Sequence, residues 1–161
     1  MRKRGRGWII AMDGPAGVGK STIGGLVAKR LTDTPGASRY FERGYVTYSN
    51  ASKVELLEVS AADIEAHGAV SEAVAEQMAA GAARKAGVEA AVAVTGVAGP
   101  EGGSEEKPVG TVFIAVCSPS GGGVRKYQFL GARQIIRERA AQAALDLIRR
   151  HLRGLPLEAK L

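Results

Sequence analysis

Short apolar runs alternate with segments of helical spacing along the chain, and Gly or Pro punctuates each change of pattern. Trp8-Ile9-Ile10-Ala11-Met12 predicts a first strand over about 8–13, followed by a helix over about 20–32 that carries Gly24-Gly25 in its interior. Each interior glycine costs about 0.5–1 kcal/mol relative to alanine, so another group should approach that face closely. Thr32 to Gly36 supplies turn chemistry, and a strand is expected over about 44–48. Asn50 is expected to cap a short helix through Leu57. Ser60-Ala61-Ala62-Asp63 has the form of a capping box opening a second short helix, stopped by His67-Gly68. Ser71 is placed to cap a longer helix over about 72–86, which stops before Gly87. The uninterrupted apolar run Ala90–Thr95 reads as a buried strand. After a polar, glycine-rich loop over Gly96–Pro108, strands over about 109–117 and 124–130 flank Ser118–Gly123, the pattern of an antiparallel hairpin with a loose loop. Ile135, Ile136, Ala140, Ala143, Ala144, Leu147 and Ile148 mark a final helix over about 132–152. This order predicts one α/β domain, a three-layer α/β/α arrangement with a mixed, mostly parallel sheet and a C-terminal antiparallel hairpin.

Composition narrows the picture. The 161 residues are 45% hydrophobic but only 5% aromatic, so the core must be built from Val, Ile, Leu and Ala. Of the formal net charge of +6, Arg2, Lys3, Arg4 and Arg6 supply four units. The remainder is close to neutral, which argues against a nucleic-acid surface on the body, and the tail over 1–7 reads as a solvated terminus. The lone Cys117 cannot form an internal disulfide and lies in the apolar run from Val112, so a buried thiol in a reducing compartment is expected. The first apolar stretch is too short for a signal-peptide core or a membrane span, which predicts a soluble, cytoplasmic protein with no membrane partner. His67 and His151 lack neighbours at metal-ligand spacing, so no zinc site is expected.

Candidate chemistry begins at Gly14-Pro15-Ala16-Gly17-Val18-Gly19-Lys20-Ser21, which fits G-x-x-x-x-G-K-[ST] between a strand and a helix. Gly14, Gly17, Gly19, Lys20, Ser21 and Thr22 are the expected phosphate-binding residues. The glycines let backbone N–H groups cradle phosphate, Lys20 reaches the terminal phosphates, and the Ser21 hydroxyl offers a Mg2+ position. The strands expected nearby end in Tyr48-Ser49 and Val94-Thr95, with no carboxylate for a water-bridged Mg2+, so phosphoryl transfer is not expected. Arg133 and Arg137 at the start of the last helix are placed to add positive charge.

Two families are resembled in different parts of the chain. Residues 8–22 look like the first strand and P-loop of a bacterial cytidylate kinase. Residues from about 24 to 152 resemble the C-terminal domain of competence-damage-inducible protein CinA, through Leu31-Thr-Asp-Thr-Pro-Gly-Ala-Ser38, Val46-Thr-Tyr-Ser-Asn50, His67-Gly-Ala-Val-Ser-Glu72, Thr95-Gly-Val-Ala-Gly-Pro100 and Gly102-Gly-Ser-Glu-Glu-Lys-Pro-Val-Gly-Thr111. That family contains nicotinamide mononucleotide amidohydrolases, and the resemblance implies Ser21 as nucleophile, Tyr48 and Lys53 as its activating pair, and Thr95 and Arg137 as further site positions. A serine–lysine pairing is chemically sound, because a desolvated neutral lysine can take the hydroxyl proton. The family's Glu-Ser-Cys-Thr-Gly-Gly loop is here Lys20-Ser21-Thr22-Ile23-Gly24-Gly25, and its usual Gly-Asp-Arg is Gly131-Ala132-Arg133. One family's loop on another's body implies an engineered chimera, with a grafted element over 8–22, a CinA-type body over 24–152 and a tail over 153–161. The expected function is binding of phosphate or nucleoside phosphates with little or no catalysis. No cofactor is required, and Mg2+ would accompany ATP or another nucleoside phosphate. Alternatives are a working nicotinamide mononucleotide amidohydrolase and a structural chimera with an empty loop. The family's first helix is replaced by Arg2–Gly7, so an uncovered apolar stripe predicts a homo-oligomer. The partners expected are phosphate-bearing small molecules, with no specific nucleic acid.

Overall fold

In the computed structural model the described residues are 8–12 and 22–157. Ten elements follow in order: β1 (Trp8–Met12), α1 (Ile23–Thr32), β2 (Phe41–Val46), α2 (Asn50–Leu57), α3 (Ala61–His67), α4 (Glu72–Ala86), β3 (Ala90–Gly96), β4 (Thr111–Ser118), β5 (Gly121–Gln128) and α5 (Arg133–Leu152), with a 3-10 turn at Ala37–Arg39. The strands form one sheet in the order β2-β1-β3-β4-β5. β1 runs parallel to β2 and β3, whereas β3–β4 and β4–β5 are antiparallel. The expected mostly parallel sheet is therefore corrected: the antiparallel half is as large as the parallel half. The connections explain it. A parallel neighbour needs a crossover, supplied here by α1 and by α2–α4, while β3–β4 and β4–β5 are joined without a helix and the chain reverses.

The apolar run of β3 conceals an alternation. Val92 and Val94, with Ile114 and Val116 of β4, pack against Val27 of α1 and Ile136, Ala140, Ala144 and Leu147 of α5. Ala91, Ala93, Phe113 and Ala115 face the other way, onto Val74, Met78 and Ala82 of α4 and Leu57 of α2. Both faces are covered, so both are apolar. The small residues lie mainly on the α4 side and let that helix pack close to the sheet. α2 presses on α4 in turn: a Cβ added to Gly81 would lie 1.7 Å from the Leu57 carbonyl oxygen.

Several boundaries move for identifiable reasons. α1 opens at Ile23, because Thr22 is extended and its Oγ1 accepts from the Gly25 N–H at 2.9 Å. Gly24 and Gly25 thus occupy the first turn rather than the helix interior. β2 begins earlier than expected, at Phe41. Ser49 rather than Asn50 caps α2, in a reciprocal box with Ser52. The box at Ser60 is half formed. Ser60 Oγ accepts from the Asp63 N–H at 3.3 Å, but the Ser60 N–H donates to Gln77 Oε1 of α4 at 2.7 Å, and Gln77 Nε2 donates to Asp63 Oδ2 at 2.6 Å. Ser71 caps α4 as expected, and Gly87 ends it in the left-handed region at φ 63°. The β4–β5 turn is tight, not loose. Gly121 pairs with Ser118, and Gly122, opposite Cys117, has space for no Cβ because Val116 O would lie 2.5 Å away. Those glycines belong to the strand.

α5 starts without a side-chain cap, since Ala132 is its N-cap residue. Ala132→Asp is expected to raise stability by about 1 kcal/mol, by satisfying a free N–H and favouring the helix dipole. Urea denaturation checks this, and an unchanged or lower midpoint would contradict it.

Candidate functional site

The register sets Val46, Met12 and Val94 level at the C-terminal ends of the three parallel strands. Thr47-Tyr48 and Thr95-Gly96 therefore extend past the end of β1 on either side. In an open sheet of this strand order, the crevice for a ligand lies outside the carboxyl ends, where connections depart to opposite faces. Here α1 leaves β1 on one face and α2–α4 cover the other.

Lys53 is 1% exposed and Thr47 and Thr95 are fully buried, whereas Tyr48 is 56% exposed. The cap at Ser49 fixes α2 so that Lys53 leans back toward the end of β2, as helical side chains do. Its Nζ lies 3.4 Å from Thr47 O and 3.5 Å from Ser49 O. Thr95 Oγ1 donates to Ala69 O at 2.9 Å, tying the α3–α4 connection to the end of β3. From the α5 side, Arg133 Nη1 donates to Gly99 O at 2.6 Å. One turn further on, Arg137 Nε is buried and has no hydrogen-bond partner among the described residues. Lys107 Nζ donates to His67 O and secures the Gly96–Pro108 loop against α3. Beside it, an open groove of about 610 Å³ is lined by His67, Ser71, Glu72, Glu76, Glu106 and Lys107.

Tyr48, Lys53 and Thr95 thus border one strand-end edge, and Arg133 reaches the loop after β3 from α5, with Arg137 one helical turn further along that helix. Gly14, Gly17, Gly19, Lys20 and Ser21 lie outside the described residues, as do the tail over 1–7 and residues 158–161. The Thr22 hydroxyl serves α1 as its cap. Cys117 is half-buried, and burial pushes its thiol above the ordinary range, as befits a packing thiol. Among the described residues no group of His, Cys, Asp or Glu is arranged to hold a metal ion, and no helix is long and apolar enough to cross a membrane. Thr47, Ala69 and Gln77 carry no sequence signal for their contacts. Two act through backbone carbonyls, and Gln77 bridges elements 14 and 17 residues away.

The sequence model of the CinA C-terminal domain matches residues 13–152. The chain belongs to the CinA C-terminal domain family. It is 51% identical over 151 residues to a CinA-like protein of Syntrophobacter fumaroxidans, covering 94% of this chain and 34% of that protein. A CinA-like protein of Desulfotalea psychrophila is 51% identical over 135 residues, with 84% of this chain and 33% of that one covered. The chain spans about a third of the length of these curated relatives. Among solved structures, the competence/damage inducible protein CihA from Agrobacterium tumefaciens superposes with a TM-score of 0.81 at 37% identity, over 90% of this chain and 84% of that one.

These matches overturn the engineered chimera. Natural CinA-like proteins resemble the chain over nearly its full length, and the family match begins at residue 13, so Gly14–Ser21 falls inside it. No kinase-derived element over 8–22 and no Walker A role for that segment is supported.

Proposed function

We propose that this CinA-type domain is an amidohydrolase that cleaves the carboxamide of nicotinamide mononucleotide and releases ammonia. The observation that carries the reading is Lys53, a buried lysine of α2 whose Nζ reaches Thr47 O and Ser49 O on either side of Tyr48 in sequence, in a chain of this family. Ser21 aligns with the family's serine and is the nucleophile in this reading. Its Oγ attacks the amide carbon while its proton passes by way of Tyr48 to Lys53, the base in this reading. The C–N bond then breaks, the leaving nitrogen takes the proton as ammonia, and water releases the carboxylate from Ser21. Thr95 holds the crevice wall through Ala69. Arg137, whose Nε has no partner among the described residues, and Arg133 supply positive charge for the phosphate of the nucleotide.

Ammonia release from nicotinamide mononucleotide, followed by a coupled assay, tests the reading. Turnover abolished by Ser21→Ala is expected. No ammonia from the unaltered chain, or equal release from the variant, sinks it.

A further inference from the structure

A second nucleophile–base pair stands apart from the strand-end crevice. Ser118 Oγ lies 2.6 Å from Nε2 of His151, within the distance at which a hydroxyl passes its proton to an imidazole. Ser118 ends β4 and opens the turn Ser118-Pro119-Ser120-Gly121. Thr95 is opposite Phe113 on the same strand, so five residues, or about 17 Å, separate the pair from the crevice. The two centres are at opposite ends of the sheet.

The surroundings suit proton transfer from the hydroxyl. Ser120 Oγ lies 2.8 Å from Ser118 Oγ, and the Ser120 N–H donates to it at 3.3 Å, a donor retained as negative charge builds on the oxygen. Gly121 O, at 3.3 Å, is a competing acceptor for the hydroxyl proton. His151 occupies the last turn of α5. The adjacent Arg149 and Arg150 are turned onto Asp146. Both members of the pair are half-buried, so the hydroxyl is held by its neighbours yet reachable from solvent.

We propose that Ser118 and His151 form an acyl-accepting site for activated acyl donors (esters, thioesters or acyl phosphates). Ser118 Oγ forms a bond to the acyl carbon as its proton passes to His151 Nε2. The bond from that carbon to the leaving group breaks, the leaving group departs with the bonding electron pair, and the imidazolium releases its proton to the leaving group or to water. The product is an ester on Ser118.

p-Nitrophenyl acetate is the probe, applied to the full chain and followed by release of p-nitrophenolate and by peptide mapping. An acetyl group on Ser118 is expected in the unaltered chain and equally in Ser21→Ala, so the result does not depend on the proposed amidase. His151→Gln is expected to slow that acetylation on the order of a hundredfold. Acetylation confined to amines, or Ser118 acetylation equally fast without His151, overturns the proposal and leaves a tether between the hairpin and α5. Should His151→Gln fail to fold, Ser118→Cys replaces it. Its new thiol is expected to be alkylated by iodoacetamide about tenfold faster than that of Cys117, and equal rates overturn the proposal.

Discussion

Gly81→Ala is expected to cost about 3 kcal/mol, although alanine is the better helix former. In an exposed helix the change would gain about 1 kcal/mol from backbone entropy. Here the new methyl would lie 1.7 Å from Leu57 O, 2.7 Å from Leu57 C and 3.2 Å from Leu57 Cα. All three are backbone or backbone-bound atoms at the end of α2, so no side-chain rotation relieves the clash. α2 must shift, and with it Leu57, which is fully buried against α4. Overpacking of a well-filled core costs about 1–3 kcal/mol, sometimes more, a large part of the 5–15 kcal/mol typical of a domain. Because the helix-propensity gain has the opposite sign, the midpoint of urea denaturation decides the matter. A stabilised Gly81→Ala variant would show that α2 and α4 do not meet as described.

Positions governed by short-range chemistry were legible in the sequence. Ser71 and Gly87 bracket α4 as expected, because a cap hydroxyl and a left-handed glycine act within a turn of the chain. The strand expected over Ala90–Thr95, which ends one residue later at Gly96, was equally plain, since a run apolar on both faces has few other homes. Where partners are distant the pattern failed. Gly122 reads as loop until β4 is laid beside it. Ser60 reads as a closed capping box until Gln77 arrives from α4 and takes its N–H. The antiparallel half of the sheet was underestimated for a related reason, because apolar runs do not encode direction and only the lack of a helix between β3, β4 and β5 does.

The candidate site divides along the same line. Lys53, Tyr48, Thr95 and Arg137 came from family motifs rather than from residue pattern, since each alone looks like an ordinary helix or strand residue. Burial distinguishes two of them afterwards: Lys53 is 1% exposed and Thr95 fully buried. The misreading at Gly14–Ser21 arose because small residues between a strand and a helix are common to phosphate cradles and to the first loop of CinA-type domains. The strand–loop–helix context therefore did not discriminate between them. What separates the two is the family match, which begins at residue 13 and takes in Gly14–Ser21.

Lys53→Met is expected to lower ammonia release from nicotinamide mononucleotide by roughly 10²–10⁴-fold, the range for loss of a positioned general base, with little change in KM. The substitution separates chemistry from packing. Methionine retains most of the lysine stem, which lies among buried atoms at the end of β2, so the volume is filled. The substitution does remove the Nζ donor from Thr47 O and Ser49 O, which costs about 1–3 kcal/mol. The variant is therefore expected to unfold at a somewhat lower temperature while losing far more turnover than its unfolded fraction accounts for. A structural lysine predicts instead that any loss of activity follows the unfolded fraction. Lys53→Arg sharpens the comparison, since a guanidinium has no accessible neutral form to take a serine proton. It is expected to be as inactive as Lys53→Met. Activity within about tenfold of the unaltered chain in either variant would remove Lys53 from the proton path and leave Tyr48 as the remaining base.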